Sequence, residues 1–213
     1  QFAGDVQSLS YLNRNGITHN DFKPANIVVG KDGGVVIDIG SFVNKKDVGN
    51  KVFTAPAILD PSQKVAAILN PDGSSIGLPV TPRFHDATLL AHSIEKTKPL
   101  NLGDKYSVGT SLLVMLAQKG YATQPDVKVH SFTLNDNVPD GVVKLYSLAQ
   151  KLMDCKKHPY EYKNNNPKKG LDPDYISLND AVVQIKQIAS TLPAEENASI
   201  SSLGEEDTTL PPT

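Results

Sequence analysis

The stretch that decides the fold reads GITHNDFKPANIVV, from Gly16 to Val29. Both its ends are apolar and its middle is not: His19, Asp21, Lys23 and Asn26 lie close together, with Pro24 among them. Just upstream, Phe2, Val6, Leu9 and Leu12 recur at helical spacing. That helix ends at NRNG, where Gly16 is a natural left-handed cap. Just downstream, Ile27-Val28-Val29 and Val35-Val36-Ile37 are β-branched runs joined by GKDGG, a hairpin signal. The polar side chains therefore occupy a connection between a helix and a strand, a place from which a rigid scaffold can present chemistry.

Further out, the polar, lysine-rich stretch from Ser41 to Asn50 reads as a loop. From Asp60 to Gly103 the character is mixed, with a short helix expected at QKVAAIL, a turn at NPDGSS and a helix near DATLLAHSIEK. Asp104 to Lys119 is apolar on nearly every side, which predicts a buried helix. Gly141 to Lys157 is amphipathic, with Val142, Leu145, Leu148, Ala149 and Leu152 on one face. HPYEYKNNNPKKGLDPD reads as an irregular polar connection. Ser177 to Thr191 opens with a Ser and carries Asp180 three residues on, the pattern of a capped amphipathic helix. From Pro193 onward, Ser, Glu, Thr and Pro predict a flexible tail. The expected class is mainly α with a small β-hairpin.

Composition narrows the function. The chain has 213 residues and 39% hydrophobic residues, enough for one sizeable core and a tail. A net charge of -2 offers no electrostatic case for nucleic acid, and no basic run suits a membrane surface. No apolar stretch is long enough to span a bilayer. Cys155 is the single cysteine, so no internal disulfide can form, and a reducing compartment is expected. The chain opens on Gln1 with no visible leader, as a processed or excised fragment would. His85, His92, His130 and His158 show no metal-ligand spacing. Lys45 and Lys46 read as a solvated loop face, and Asn197 as a sequon that matters only in a secreted chain.

His19-Asn20-Asp21-Phe22-Lys23-Pro24-Ala25-Asn26 resembles the protein-kinase catalytic loop, H-R-D-x-x-x-x-N, with a Lys two places after the Asp. Three further segments resemble that family in order. Asp38-Ile39-Gly40 stands where Asp-Phe-Gly follows the hairpin; Phe53-Thr54-Ala55-Pro56-Ala57 resembles the segment ending in Ala-Pro-Glu; and Asp104-Lys105-Tyr106-Ser107-Val108-Gly109 resembles the start of the long buried helix of the kinase C-lobe. The resemblance implies a C-lobe over residues 1–192, with a catalytic loop at 19–26, a metal-binding segment at 38–40 and an activation segment at 38–57. A long insert would follow at about 58–103, then the buried helix at 104–119, with a tail at 193–213. It also implies roles. Asp21 would orient the substrate hydroxyl, Lys23 would offset charge on the transferred phosphoryl, and Asn26 and Asp38 would hold Mg²⁺ or Mn²⁺ against the phosphates of ATP. His19 would pack in the core, Asp104 would anchor the loop backbone, and Gly40 would let the chain turn.

The sequence also departs from the family. Asn20 replaces the usual Arg, so the bidentate charge that pairs with a phosphorylated activation loop is absent. Ala57 replaces the Glu of Ala-Pro-Glu, and neither Arg14 nor Arg83 lies late enough to be its partner. No Gly-rich loop, strand Lys or partner Glu precedes the catalytic loop, so the N-lobe would come from elsewhere, in cis or in trans. Three readings follow: a Ser/Thr protein kinase acting on a protein substrate, a pseudokinase serving as a binding scaffold, or a small-molecule kinase.

Overall fold

The computed structural model describes residues 2–30, 33–44, 58–60, 65–69, 74–86, 102–125, 131–154, 162–163, 166–167 and 176–192. Among the described residues four helices carry the core: α1 (Phe2–Arg14), α2 (Leu102–Gln118), α3 (Asp140–Met153) and α4 (Leu178–Thr191). The described chain is thus mainly helical, as expected, although its short strands outnumber the one hairpin foreseen.

Each helix follows from its apolar spacing. In α1, Phe2, Val6 and Leu9 turn inward; Asp5 lies in the first turn and Arg14 in the last, both favourable to the helix dipole. It stops where expected, with Gly16 at φ 77° and its amide bonded to the Asn13 carbonyl at 3.0 Å. In α2, every residue from Leu102 to Leu116 is buried, so neighbours cover it on all sides. Gly109 lets α3 approach: a Cβ there would lie 2.7 Å from the Ala149 carbonyl oxygen and 3.1 Å from the Leu152 Cβ. The α4 capping box forms as read, with the Asp180 amide on the Ser177 hydroxyl and the Ser177 amide on the Asp180 carboxylate, each at 3.1 Å. The helices α2 and α3 pack together, α1 packs on α4, and α3 touches α4. One core cluster gathers residues from Phe2 on α1 to Ile188 on α4.

The expected hairpin is present. Strands β2 (Ile27–Gly30) and β3 (Gly33–Val36) pair antiparallel from Ile27–Val36 to Gly30–Gly33, and β3 packs on α1. Before and after it, the two-residue strands β1 (Ile17–Thr18) and β4 (Val43–Asn44) pair with each other. Further along come a meander of β5 (Ile58–Asp60), β6 (Val65–Leu69) and β7 (Ser75–Pro79), then the pairs β8 (Ala122–Thr123) with β9 (Thr133–Leu134) and β10 (Tyr162–Lys163) with β11 (Asn166–Pro167).

The meander corrects the helix expected at QKVAAIL. Residues 65–69 form the central strand, paired on both sides. A short apolar run carries no period that separates helix from strand, and pairing on both sides decides for the strand. Within HPYEYKNNNPKKGLDPD, β10 and β11 add a small pair to what read as irregular chain. The helix expected near DATLLAHSIEK, the Phe53–Ala57 segment, Cys155 and the tail from Pro193 lie outside the described residues.

Candidate active site

The loop from His19 to Asn26 is clamped from below. Asp104, fully buried in the first turn of α2, accepts the His19 amide on one carboxylate oxygen and the Asn20 amide on the other, both at 2.9 Å. The Asn13 side chain at the end of α1 donates to the same group at 2.8 Å. Three elements are thereby tied to one carboxylate, as expected of Asp104. His19 also behaves as expected. It is buried, accepts the Asp21 amide on Nδ1 at 3.2 Å, and so has its Nε2 proton free for the Ile37 carbonyl at 3.2 Å. Its ring packs edge-on against Phe22 and Phe42.

Asn20 has φ 62°, the left-handed region that Asn tolerates better than most residues. Its side-chain amide donates to the Ser41 carbonyl at 2.9 Å. The Ser41 hydroxyl in turn donates to the Pro79 carbonyl at the end of β7. A neutral chain of hydrogen bonds therefore links the loop, the segment after Asp38 and the meander.

Asp21, Lys23 and Asn26 converge. Lys23 Nζ donates to Asp21 Oδ2 at 2.9 Å. The Asn26 side-chain amide donates both to the Asp21 carbonyl at 2.9 Å and to Asp21 Oδ2 at 3.1 Å, which leaves Asn26 Oδ1 uncommitted among the described residues. Sequence reasoning missed two residues that join them. The Thr81 amide donates to Asp21 Oδ1 at 2.6 Å, while its hydroxyl lies 3.3 Å from Oδ2 and accepts from Lys23. His85, considered only as a metal ligand from the sequence, is buried with Nε2 3.5 Å from Asp21 Oδ1. The end of the stretch read as an insert thus reaches the loop from His19 to Asn26. Thr81 immediately precedes the short 3-10 helix Pro82–Phe84, and nothing local in the sequence says where it docks.

Burial pushes the Asp21 carboxyl up, but hydrogen bonds from His85 and Lys23 and their charges outweigh it and hold it at about 2. Such a group is ionised at neutral pH and is a weak proton acceptor, better suited to orienting a hydroxyl than to deprotonating it early.

Asp38 stands apart from the trio. The hairpin register puts it at the same open end as Asn26, whose carbonyl accepts the Ile37 amide at 2.8 Å. Its side chain is exposed and accepts the Gly40 amide at 3.3 Å. Asp38 itself adopts φ 66°, so the sharp turn expected of Gly40 is made by Asp38. What Gly40 supplies is room: a Cβ there would lie 3.3 Å from Asp38 Oδ1. Among the described residues no cluster of three His, Cys, Asp or Glu side chains could hold a metal. The amide oxygen of Asn26 and the carboxylate of Asp38 are nonetheless hard oxygen donors of the kind that Mg²⁺ takes in ones and twos beside phosphate.

No family model matches the chain. Over 97 residues, 46% of the chain, it is 32% identical to the probable serine/threonine-protein kinase PkwA of Thermomonospora curvata. The match covers 12% of that protein. It supports a protein-kinase-like relationship. No helix among the described residues is long and apolar enough to cross a membrane.

Proposed function

We propose that the chain is the catalytic lobe of a protein kinase that transfers the γ-phosphate of ATP to Ser or Thr hydroxyls of a protein substrate. The observation that carries this reading is the convergence of Asp21, Lys23 and Asn26 on a loop whose backbone is clamped by Asp104. The similarity to a Ser/Thr kinase supports it. Phosphoryl transfer asks for alignment and charge compensation rather than covalent help. Asp21 orients the attacking hydroxyl and takes its proton late, as the new O–P bond forms and the bond from the γ-phosphorus to the β–γ bridging oxygen breaks to release ADP. Lys23, 19% exposed and hydrogen-bonded to Asp21, reaches the transferred phosphoryl and offsets its charge. Asn26 Oδ1 and Asp38 would hold Mg²⁺ or Mn²⁺, which when bound neutralises phosphate charge. The other half of the nucleotide site comes from an N-lobe, in cis or in trans. Asn20 joins the loop to the Ser41 carbonyl without a charge, so no phosphorylated activation loop is needed to order it.

The test is phosphotransfer to a protein substrate by the complete protein, upstream lobe included. Asp21→Asn keeps the fold and lowers turnover by a factor of about 10² or more. Unchanged turnover removes Asp21 from the mechanism. A second reading, a nucleotide-binding scaffold without transfer, is favoured by the exposed Asp38 with its Gly40 contact. In the kinase reading ATP binds more tightly with Mg²⁺ and Asp38→Ala abolishes that gain; in the scaffold reading metal makes no difference.

A further inference from the structure

We infer that His85 is a positioning residue for Asp21: a buried imidazole that donates from Nε2 to Asp21 Oδ1 and is held in that orientation by Ser107. The inference rests on the kinase reading for its functional consequence, but not for its geometry.

The His85 side chain is completely buried. Among the described residues its two ring nitrogens have one polar neighbour each: Asp21 Oδ1 at 3.5 Å from Nε2, and Ser107 Oγ at 3.2 Å from Nδ1. A buried ring N–H without an acceptor is costly, so the ring must use these two groups. Asp21 is ionised and can only accept, which assigns a proton to Nε2. Ser107 can satisfy Nδ1 either as donor or as acceptor, because its hydroxyl also has the Phe84 and Gly103 carbonyls at 3.0 Å. In both cases Nε2 donates to the carboxylate. The 3.5 Å separation is the longest around Asp21, and it is a contact of the kind that shortens when substrate seats the carboxylate.

The consequence is a division of labour between the two oxygens of Asp21. Oδ1 is held by the Thr81 amide and His85, both from one short segment. Oδ2 faces Lys23, Asn26 and the Thr81 hydroxyl. With Oδ1 tethered, the carboxylate cannot rotate, and Oδ2 stays aligned beside the lysine that meets the phosphoryl. The order Ser107–His85–Asp21 has the look of a hydrolytic triad, but Ser107 is fully buried in α2 and its hydroxyl is already shared with two carbonyls. It sets the imidazole and attacks nothing.

Two measurements on the complete protein test this. The first needs no activity: long-range ¹H–¹⁵N spectra of the His85 ring in the wild type and in Asp21→Asn. A protonated Nε2 whose signals move in Asp21→Asn is expected; a ring protonated at Nδ1 alone, or signals indifferent to Asp21, overturns the assignment. The second is steady-state phosphotransfer. His85→Leu should lower kcat about ten-fold, the loss of one charge-assisted hydrogen bond, while the KM for ATP stays unchanged. His85→Gln, which keeps a donor, should recover most of that loss. Equal kcat in all three proteins, or equal loss in both variants, refutes the positioning role. Should the wild type transfer no phosphate at all, the kinase reading fails, and with it the catalytic consequence, while the spectra still decide whether His85 holds Asp21.

Discussion

Asp21 is a carboxylate enclosed by donors, and its titration follows. Its side chain is 6% exposed. Its pKa falls from 3.8 to about 2 on folding, so the ionised form stabilises the fold. That contribution, on the order of 2 kcal/mol, is fully present above the unfolded value and is lost as pH drops through the folded one. The melting temperature of the wild type should therefore exceed that of Asp21→Asn at pH 5, and the two should converge near pH 2. Asp5 is the opposite case. It is buried in α1, one carboxylate oxygen lacks a partner among the described residues, and burial raises its pKa from 3.8 to about 6. The fold prefers it neutral, so ionisation destabilises progressively as pH rises from about 4 through 6. Asp5→Asn should leave stability near pH 4 little changed and raise it at pH 7 by about 1–3 kcal/mol, as read by urea denaturation. A variant no more stable than wild type at pH 7 would contradict this.

At the scale of elements, two contacts decide where the loop sits. Asp104 brings the start of α2 to the His19 and Asn20 amides, so Asp104→Ala strands three donors at once. The expected loss is about 3 kcal/mol or more, with amide hydrogen exchange at residues 19 and 20 accelerated beyond the change in global stability. Exchange that simply tracks global unfolding would show that the clamp has no local effect. Gly109 sets how closely α3 approaches α2. Ala is the better helix former by about 1 kcal/mol, yet its methyl would meet the Ala149 carbonyl, a backbone atom that cannot step aside. Gly109→Ala should therefore destabilise by about 1–3 kcal/mol. The helices themselves were legible from their periodicity and caps, because an amphipathic face repeats over several turns. The strand at Val65–Leu69 was not, since five residues complete neither period.

Across the whole molecule, residues from both ends of the described chain share one core, with Phe2, Ala3, Val6 and Leu9 of α1 in the same cluster as Leu178, Val182, Ile185 and Ile188 of α4. Removing either helix would expose the other. Thermal unfolding of the 213-residue chain should accordingly be a single transition, coincident by far-ultraviolet circular dichroism and by tyrosine fluorescence. Two separated transitions would mean that the helices fold as independent units.

The sequence by itself determined what depends on near neighbours. The helix at the start, its Gly16 stop, the Asp180 capping box and the hairpin of β2 and β3 are encoded within a few positions, because their hydrogen bonds close over that distance. The spacing of Asp21, Lys23 and Asn26 belongs with them: a tight loop opening on Pro24 brings such residues together without help from elsewhere. The tertiary structure alone decided what surrounds Asp21. Thr81 and His85 lie 60 and 64 residues further on, and the path that returns them runs through the meander β5–β7. A carboxylate can be placed by its neighbours in sequence, and Lys23 helps to lower its pKa, but the hold on Oδ1 and the share of the pKa shift that comes from His85 are set by groups that only folding brings near.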